Sequence, residues 1–155
     1  MCAQNRAHIF GSLSHGEMHL SKVGLIAEAE LRALHTHYGN IEVDTYVVMP
    51  NHIHVIIMIG GLHVFSPSVR PNTISCETSL LTPRAGSLSA IVRSYKAGVT
   101  RRVRELGLRE AVWQSRFHDR LLRGDKVIAA VRKYIRTNPE NWELDKENMS
   151  QNIHL

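Results

Sequence analysis

The spacing of apolar residues changes repeatedly along the chain, and each change predicts a new element. His8-Ile9-Phe10 and Met18-His19-Leu20, separated by a Gly-containing stretch, read as a hairpin with its tip at His15-Gly16-Glu17. Ser21 is placed to cap a helix over 22–38, in which Val23, Ile26, Ala27, Leu31 and Leu34 recur at helical spacing before Gly39-Asn40 stops it. Val- and Ile-rich runs over 41–49 and 52–59 flank Pro50-Asn51 and predict strand, tight turn, strand. Ser87 caps a second helix over 88–106, with Ile91, Val92, Tyr95, Val99 and Val103 on its inner side. Alternation over 113–122 predicts another strand, with Phe117, Asp119 and Leu121 on one face and Arg116, His118 and Arg120 on the other. A last helix spans 126–137, its stripe formed by Val127, Ile128, Val131, Tyr134 and Ile135. Asn138-Pro139 closes it, because a residue before proline avoids helical geometry.

This order of elements fits an α+β fold: a ferredoxin-like or RRM-like antiparallel sheet with helices packed on one face. The segment 60–86 breaks the pattern. Pro67, Pro71 and Pro83 lie there among Ser, Thr, Asn and Gly with little periodicity, which predicts a long flexible loop rather than a domain boundary. The chain therefore reads as a single domain over 1–142 followed by a polar tail over 143–155. Its 155 residues suffice for one real core but not comfortably for two.

Composition narrows the functional classes. Hydrophobic residues at 43% and charged residues at 21% are those of an ordinary globular protein. The longest apolar run, Val55 to Ile59, is far too short for a membrane span, and no secretory signal is visible. Cys2 and Cys76 are distant in sequence, so the expectation is a reduced, cytoplasmic protein without a disulfide. Nineteen Lys and Arg against 14 Asp and Glu give +5, and such a balance favours polyanionic partners, nucleic acid first.

Chemistry enters at the strand after Pro50-Asn51. His52 and His54 are two apart, so both imidazoles leave the sheet on one side, roughly 7 Å apart at their Cα atoms. Two neutral imidazoles can converge on one divalent metal, and protonated they can hold a phosphate. Tyr134 and Asn138 are four apart and share one face of the last helix. If that face packs over the histidines, two imidazoles, an amide oxygen and a phenol meet. Such a set suits Mg²⁺ or Mn²⁺ and leaves the phenol as a candidate nucleophile whose ordinary pKa is about 10.

Pro50-Asn51-His52-Ile53-His54, Val112-Trp113-Gln114, Phe117-His118-Asp119-Arg120 and the run Tyr134-Ile135-Arg136-Thr137-Asn138-Pro139-Glu140-Asn141-Trp142 resemble the single-tyrosine transposases of the HUH (His-hydrophobe-His) superfamily. Among these the REP-associated tyrosine transposases are the nearest in pattern. The resemblance runs from Phe10 to Trp142, interrupted by the 60–86 segment. It implies that His52 and His54 bind a metal, Mg²⁺ or Mn²⁺, with Asn138 where the third ligand falls, a position that is more often Gln in the insertion-sequence branch. It implies that Tyr134 attacks a phosphodiester of single-stranded, hairpin-forming DNA, giving a 5′-phosphotyrosine link and a free 3′-hydroxyl. A 3′-hydroxyl of another strand can then reverse the step without ATP. No side chain stands out as the general base for Tyr134. Asp119 and His118 are candidates to support the ligating histidines. Arg93, Lys96, Arg101, Arg102, Arg104, Arg116 and Arg120 are expected to track phosphates, with Phe117 or Tyr95 stacking on bases. The protein would act as monomer or homodimer, and its activity would fade as pH falls through about 6.5, where imidazoles protonate.

Singly, each feature has an ordinary explanation: a hydrogen-bonded histidine pair, a packing tyrosine, a helix-ending asparagine, a solvated arginine face. Their joint occurrence in this order is what favours the enzyme. Nucleotide hydrolases with a His-x-His-x-His strand are a different class, but Ile56 stands at the third position. A non-cleaving binder of single-stranded or hairpin nucleic acid on the same sheet is the remaining alternative. It draws on the shortness of the stretch before Phe10, where family members carry most of a first strand.

Overall fold

The computed structural model describes residues 1–60, 86–108 and 111–144. Most of the segment 60–86 expected to form a loop, with Cys76, and most of the 143–155 tail therefore lie outside the described residues. The chain forms an α+β, ferredoxin-like arrangement: β1 (Gly11–Ser14), β2 (Glu17–Leu20), α1 (Lys22–Arg32), α2 (Leu34–His37), β3 (Ile41–Val48), β4 (Ile53–Ile59), α3 (Leu88–Glu105) and α4 (Asp125–Thr137). β1 pairs antiparallel with β2, and β3 with β4.

The first hairpin turns at His15 and Gly16, both at positive φ (53° and 78°), the geometry that a two-residue turn needs to match the strand twist. Ser21 follows as the helix cap. Its hydroxyl accepts from the Gly24 N–H at 3.1 Å and donates to the Ile9 carbonyl at 2.6 Å, which fixes the angle between hairpin and helix. Gly24 is buried in that corner, and a β-carbon there would overlap the Phe10 carbonyl oxygen. Backbone cannot step aside as a side chain can. Gly24→Ala is therefore expected to destabilise by about 1–3 kcal/mol, despite the better helix propensity of Ala. A lowered urea midpoint checks this, and an unchanged or raised midpoint would contradict the packing.

The predicted helix over 22–38 is broken. Ala33 (φ −83°, ψ −6°) separates α1 from the single turn of α2, because both the N–H (3.0 Å) and the hydroxyl (2.7 Å) of Thr36 take the Ala33 carbonyl. α3 runs as expected, with the Ser87 hydroxyl accepting from the Ala90 N–H. It packs on α1 through Tyr95, whose hydroxyl donates to the Ala27 carbonyl at 3.0 Å, and through an Arg102–Glu30 ion pair at 2.6 Å.

Phe10, Leu31, Ile53, Ile91, Tyr95 and Val99 are buried together. Ile53 thus points toward α1 and α3. Tyr46, opposite Val55, does the same: its hydroxyl accepts from Arg32 at 2.7 Å and donates to Glu28 at 3.1 Å, both on α1. By alternation His52, His54 and Ile56 leave the other face, which α4 covers.

Two predictions fail in instructive ways. No strand forms over 113–122: Trp113 makes a single bridge to Ala3 and the rest is irregular. Arg116, His118, Asp119, Arg120 and Leu121 are all exposed, so the alternation has no buried face to serve. The carbonyls of Gln114 and Arg116 bond to Lys96 Nζ instead of to a strand (2.8 and 3.2 Å). Second, Asn138 keeps helical dihedrals (φ −59°, ψ −41°) although Pro139 follows. The path continues as a turn, with the Asn141 N–H and amide both donating to the Thr137 carbonyl (3.3 and 2.8 Å), into a short 3₁₀ helix at Trp142–Leu144.

Candidate functional site

The turn between β3 and β4 is buried, and Met49, Pro50, Asn51, His52 and Ile53 show little or no surface. A buried turn needs partners for its backbone. Here Met49 N–H donates to the His52 carbonyl at 2.8 Å, while the Pro50 and Asn51 carbonyls accept from Phe10 (3.0 Å) and Ala3 (2.8 Å). The N-terminal stretch supplies a further rung: the Met1 carbonyl accepts from Ile53 N–H (2.7 Å), and Gln4 and Gln114 N–H donate to the Val112 and Cys2 carbonyls (3.0 Å each). Residues 1–4 thus lie between the start of β4 and residues 112–114. The backbone under the histidines is fixed from both sides.

His52 is 2% exposed. Its Nδ1 lies 2.8 Å from Asn51 Oδ1, an acceptor, so Nδ1 carries the proton and Nε2 keeps its lone pair. Burial above all, then the His54 ring, the amino terminus and Arg6, push its pKa down from 6.5 to about 3. His52 is therefore neutral at any physiological pH. For His52, burial, which a sequence pattern does not reveal, moves protonation well below the 6.5 expected of a free imidazole. The His54 ring stands across His52, centroids 4.6 Å apart at 80°.

α4 brings the rest of the site. The Tyr134 ring meets His54 edge-on, centroids 5.4 Å apart at 75°, with half of the residue open to solvent (51%). Eight residues on, Trp142 is buried against His52 at 5.9 Å and against His8 at 5.7 Å. Asn138 lies one turn from each, is 3% exposed, and its Oδ1 has no hydrogen-bond partner among the described residues. A buried amide oxygen without a donor is costly and is the kind of atom that a cation satisfies. Two imidazoles and an amide oxygen are the donor types on hand, a set with borderline nitrogen and hard oxygen that a first-row divalent ion such as Mn²⁺ could accept. Among the described residues no group of three or more His, Cys, Asp and Glu is placed to hold a metal ion, so within them no carboxylate joins the two histidines.

Of the predicted site residues, His52, His54 and Tyr134 are in ring contact, and Asn138 is buried one turn along from Tyr134. His118 and Asp119 are exposed in the irregular 113–122 stretch, and Asn51, not they, is the partner of His52. Arg93, Arg101, Arg104, Arg116 and Arg120 are exposed. Lys96 is committed to the Gln114 and Arg116 carbonyls and sits over the Trp113 ring at 5.7 Å, while Arg102 is paired with Glu30. Lys96 and Arg102 are thus fastened within the fold. Tyr95 is 2% exposed and cannot stack on a base. Lys96, Thr100, Arg101, Arg104, Trp113 and Gln114 line an open cleft of about 680 Å³ on the α3 side. Asn51 and Trp142 belong to the motifs quoted above, but the sequence assigns Asn51 no hydrogen bond to His52 and Trp142 no contact with it, and it gives no signal for Arg6. Arg6 follows Asn5, and both sit in the left-handed region (φ 56° and 52°).

Among the described residues no helix is long and apolar enough to cross a membrane. No protein-family model matches the chain, and no solved structure matches it. It is similar to an uncharacterized protein of Haemophilus influenzae, 28% identical over 149 residues that make up 94% of this chain and 81% of the relative.

Proposed function

We infer that the protein is a metal-dependent single-stranded DNA endonuclease and strand transferase of the single-tyrosine HUH transposase type, acting on hairpin-forming DNA. The observation that carries this reading is the meeting of a half-exposed phenol, Tyr134, with the ring of His54, which itself stands 4.6 Å from the buried, neutral His52. A packing tyrosine would be buried. A nucleophile must reach a substrate from outside while a fixed site holds the phosphate beside it.

In this reading Tyr134 Oη bonds to phosphorus, the bond to the 3′-oxygen breaks, and that oxygen leaves as a 3′-hydroxyl after taking a proton. The phenolic proton passes to solvent. A divalent cation, Mg²⁺ or Mn²⁺, would be held by His52, His54 and Asn138, and when bound would neutralise charge developing on the phosphoryl oxygens. Asn51 keeps the His52 Nε2 lone pair available. Arg6, close enough to His52 to disfavour its protonation, adds positive potential for a phosphate. The exposed arginines of α3 and of 116–120 are suited to the flanking strand, as an ionic and salt-sensitive contribution.

Purified protein incubated with a 5′-labelled and a 3′-labelled hairpin oligonucleotide plus Mn²⁺ is expected to give an SDS-resistant protein–DNA band with the label 3′ of the cut alone. EDTA should abolish the band while leaving an electrophoretic shift in a native gel. A shift with no covalent band under any divalent ion would support the non-cleaving binder instead. Absence of both would end the nucleic-acid reading.

A further inference from the structure

We propose that Asp44 and Arg132 form a positioning pair that sets the roll of α4 about its own axis, and so places the Tyr134 ring against His54. In its consequence for catalysis this rests on the reading of Tyr134 as the nucleophile. The first observation is the strand. Ile41 and Val43 belong to the core face of β3, as do Tyr46 and Val48, so the alternation changes phase between them. A bulge between Val43 and Thr45 does this. Strict alternation back from Tyr46 would aim Asp44 at α1. The bulge turns it to the α4 side, where Arg132 grips both carboxylate oxygens (Nε to Oδ2 2.8 Å, Nη2 to Oδ1 2.6 Å). The Thr45 hydroxyl also donates to Asp44 Oδ2 at 3.1 Å, so the bulge both aims the carboxylate and holds it for the bidentate contact.

The second observation is where the helix is held: Ile128 and Val131 are half-buried, and the path just past its end is anchored by the buried Asn138 and Trp142. Within the helix itself only Ile135 is buried. At about 100° per residue, Ile135 faces the sheet with Tyr134 about 100° to one side and Arg132 about 60° to the other. Arg132 therefore reaches β3 over one flank while Tyr134 reaches β4 over the other. Ile128, Val131 and Ile135 form the line of contact between these flanks, and release of Arg132 lets the helix roll about it. Glu42, Asp125 and Arg136 are the other charges that bear on the pair. The pair holds the Asp44 carboxyl below the ordinary carboxylate range.

The test uses the whole chain and has an arm that needs no DNA. In the free protein the His54 ring-proton shifts report the neighbouring Tyr134 ring, and Tyr134→Ala defines their value without it. Asp44→Ala and Arg132→Gln are each expected to move the His54 shifts most of the way to that value, with the thermal midpoint little changed. The exchanged double variant, Asp44→Arg with Arg132→Asp, should restore them. With DNA, the adduct rate at saturating oligonucleotide should fall on the order of 10²-fold in the single variants while Kd stays within about twofold, and recover in the exchange. Unmoved His54 shifts in both single variants overturn the proposal, as does an exchange that rescues neither readout. If the parent protein forms no adduct at all, the nucleophile reading fails, and the shifts alone still decide the positioning.

Discussion

Tyr134→Phe is expected to bind a hairpin oligonucleotide within about twofold of the parent protein and to lose covalent adduct formation by roughly 10³-fold or more. The substitution is unusually clean here. Half of Tyr134 is exposed, and its hydroxyl makes no hydrogen bond among the described residues, so its removal is expected to change stability by no more than about 0.5 kcal/mol. The ring remains, and with it the edge-on contact with His54. Folding, metal affinity and DNA affinity serve as internal controls, and only the chemistry is withdrawn. Phe cannot attack phosphorus, and Asn51, Asn138 and Trp142 beside the histidines have no hydroxyl or thiol, which leaves the free thiol of Cys2, bridged to His52 through the backbone, as the neighbouring group to exclude with a Cys2→Ala control. An adduct of undiminished yield in Tyr134→Phe would sink the nucleophile assignment outright.

Much of this site was legible in the sequence because it is built from regular periodicities. His52 and His54 share a face since strands alternate, and Tyr134, Asn138 and Trp142 share one since they are four apart along a helical path. The elements carrying them, β4 and α4, fall where the apolar pattern predicts. The failures came where local rules compete with tertiary demands. The residue before a proline avoids the helical region in isolation, yet Asn138 stays helical because the continuing turn buries both its own side chain and Trp142. Alternation over 113–122 looked like a strand because period two is all a sequence shows, whereas a strand also needs an edge to pair with. Beyond Trp113 none is offered among the described residues, and Lys96 takes the carbonyls. The β3 bulge left no sequence signal at all. Asp44 and Thr45 are unremarkable in a strand, and only the phase change from Val43 to Tyr46 betrays it.

The same distinction governs the basic residues. Composition alone made every Lys and Arg of α3 a phosphate contact. The structure divides them: Lys96 and Arg102 fasten α3 to the Trp113 segment and to α1, while Arg93, Arg101 and Arg104 remain exposed. Loss of Arg102 would leave Glu30, 7% exposed, as a buried carboxylate without its cation, a stability defect that a DNA-binding assay would misread as lost affinity.

The metal-free protein is expected to hold its stability from pH 8 to about 6.5 and then to lose it steeply, because of His52. The sign follows from where the protons bind. Unfolded, the imidazole titrates near 6.5. Folded, burial holds it neutral to about 3. Between those values the unfolded chain binds the extra proton, so stability rises with pH across the window and falls as pH drops, with a limiting slope of about 1.4 kcal/mol per pH unit from this one group. Two units of acidification would then remove roughly 3 kcal/mol, a large share of the 5–15 kcal/mol typical of a domain. His52→Leu has no imidazole to protonate, so urea-unfolding free energies in EDTA should lose this component of the slope between pH 6.5 and 4 in that variant. Equal slopes in the parent and in His52→Leu would mean that water reaches the ring and that His52 is not the dry, permanently neutral ligand on which the assignment of this site depends.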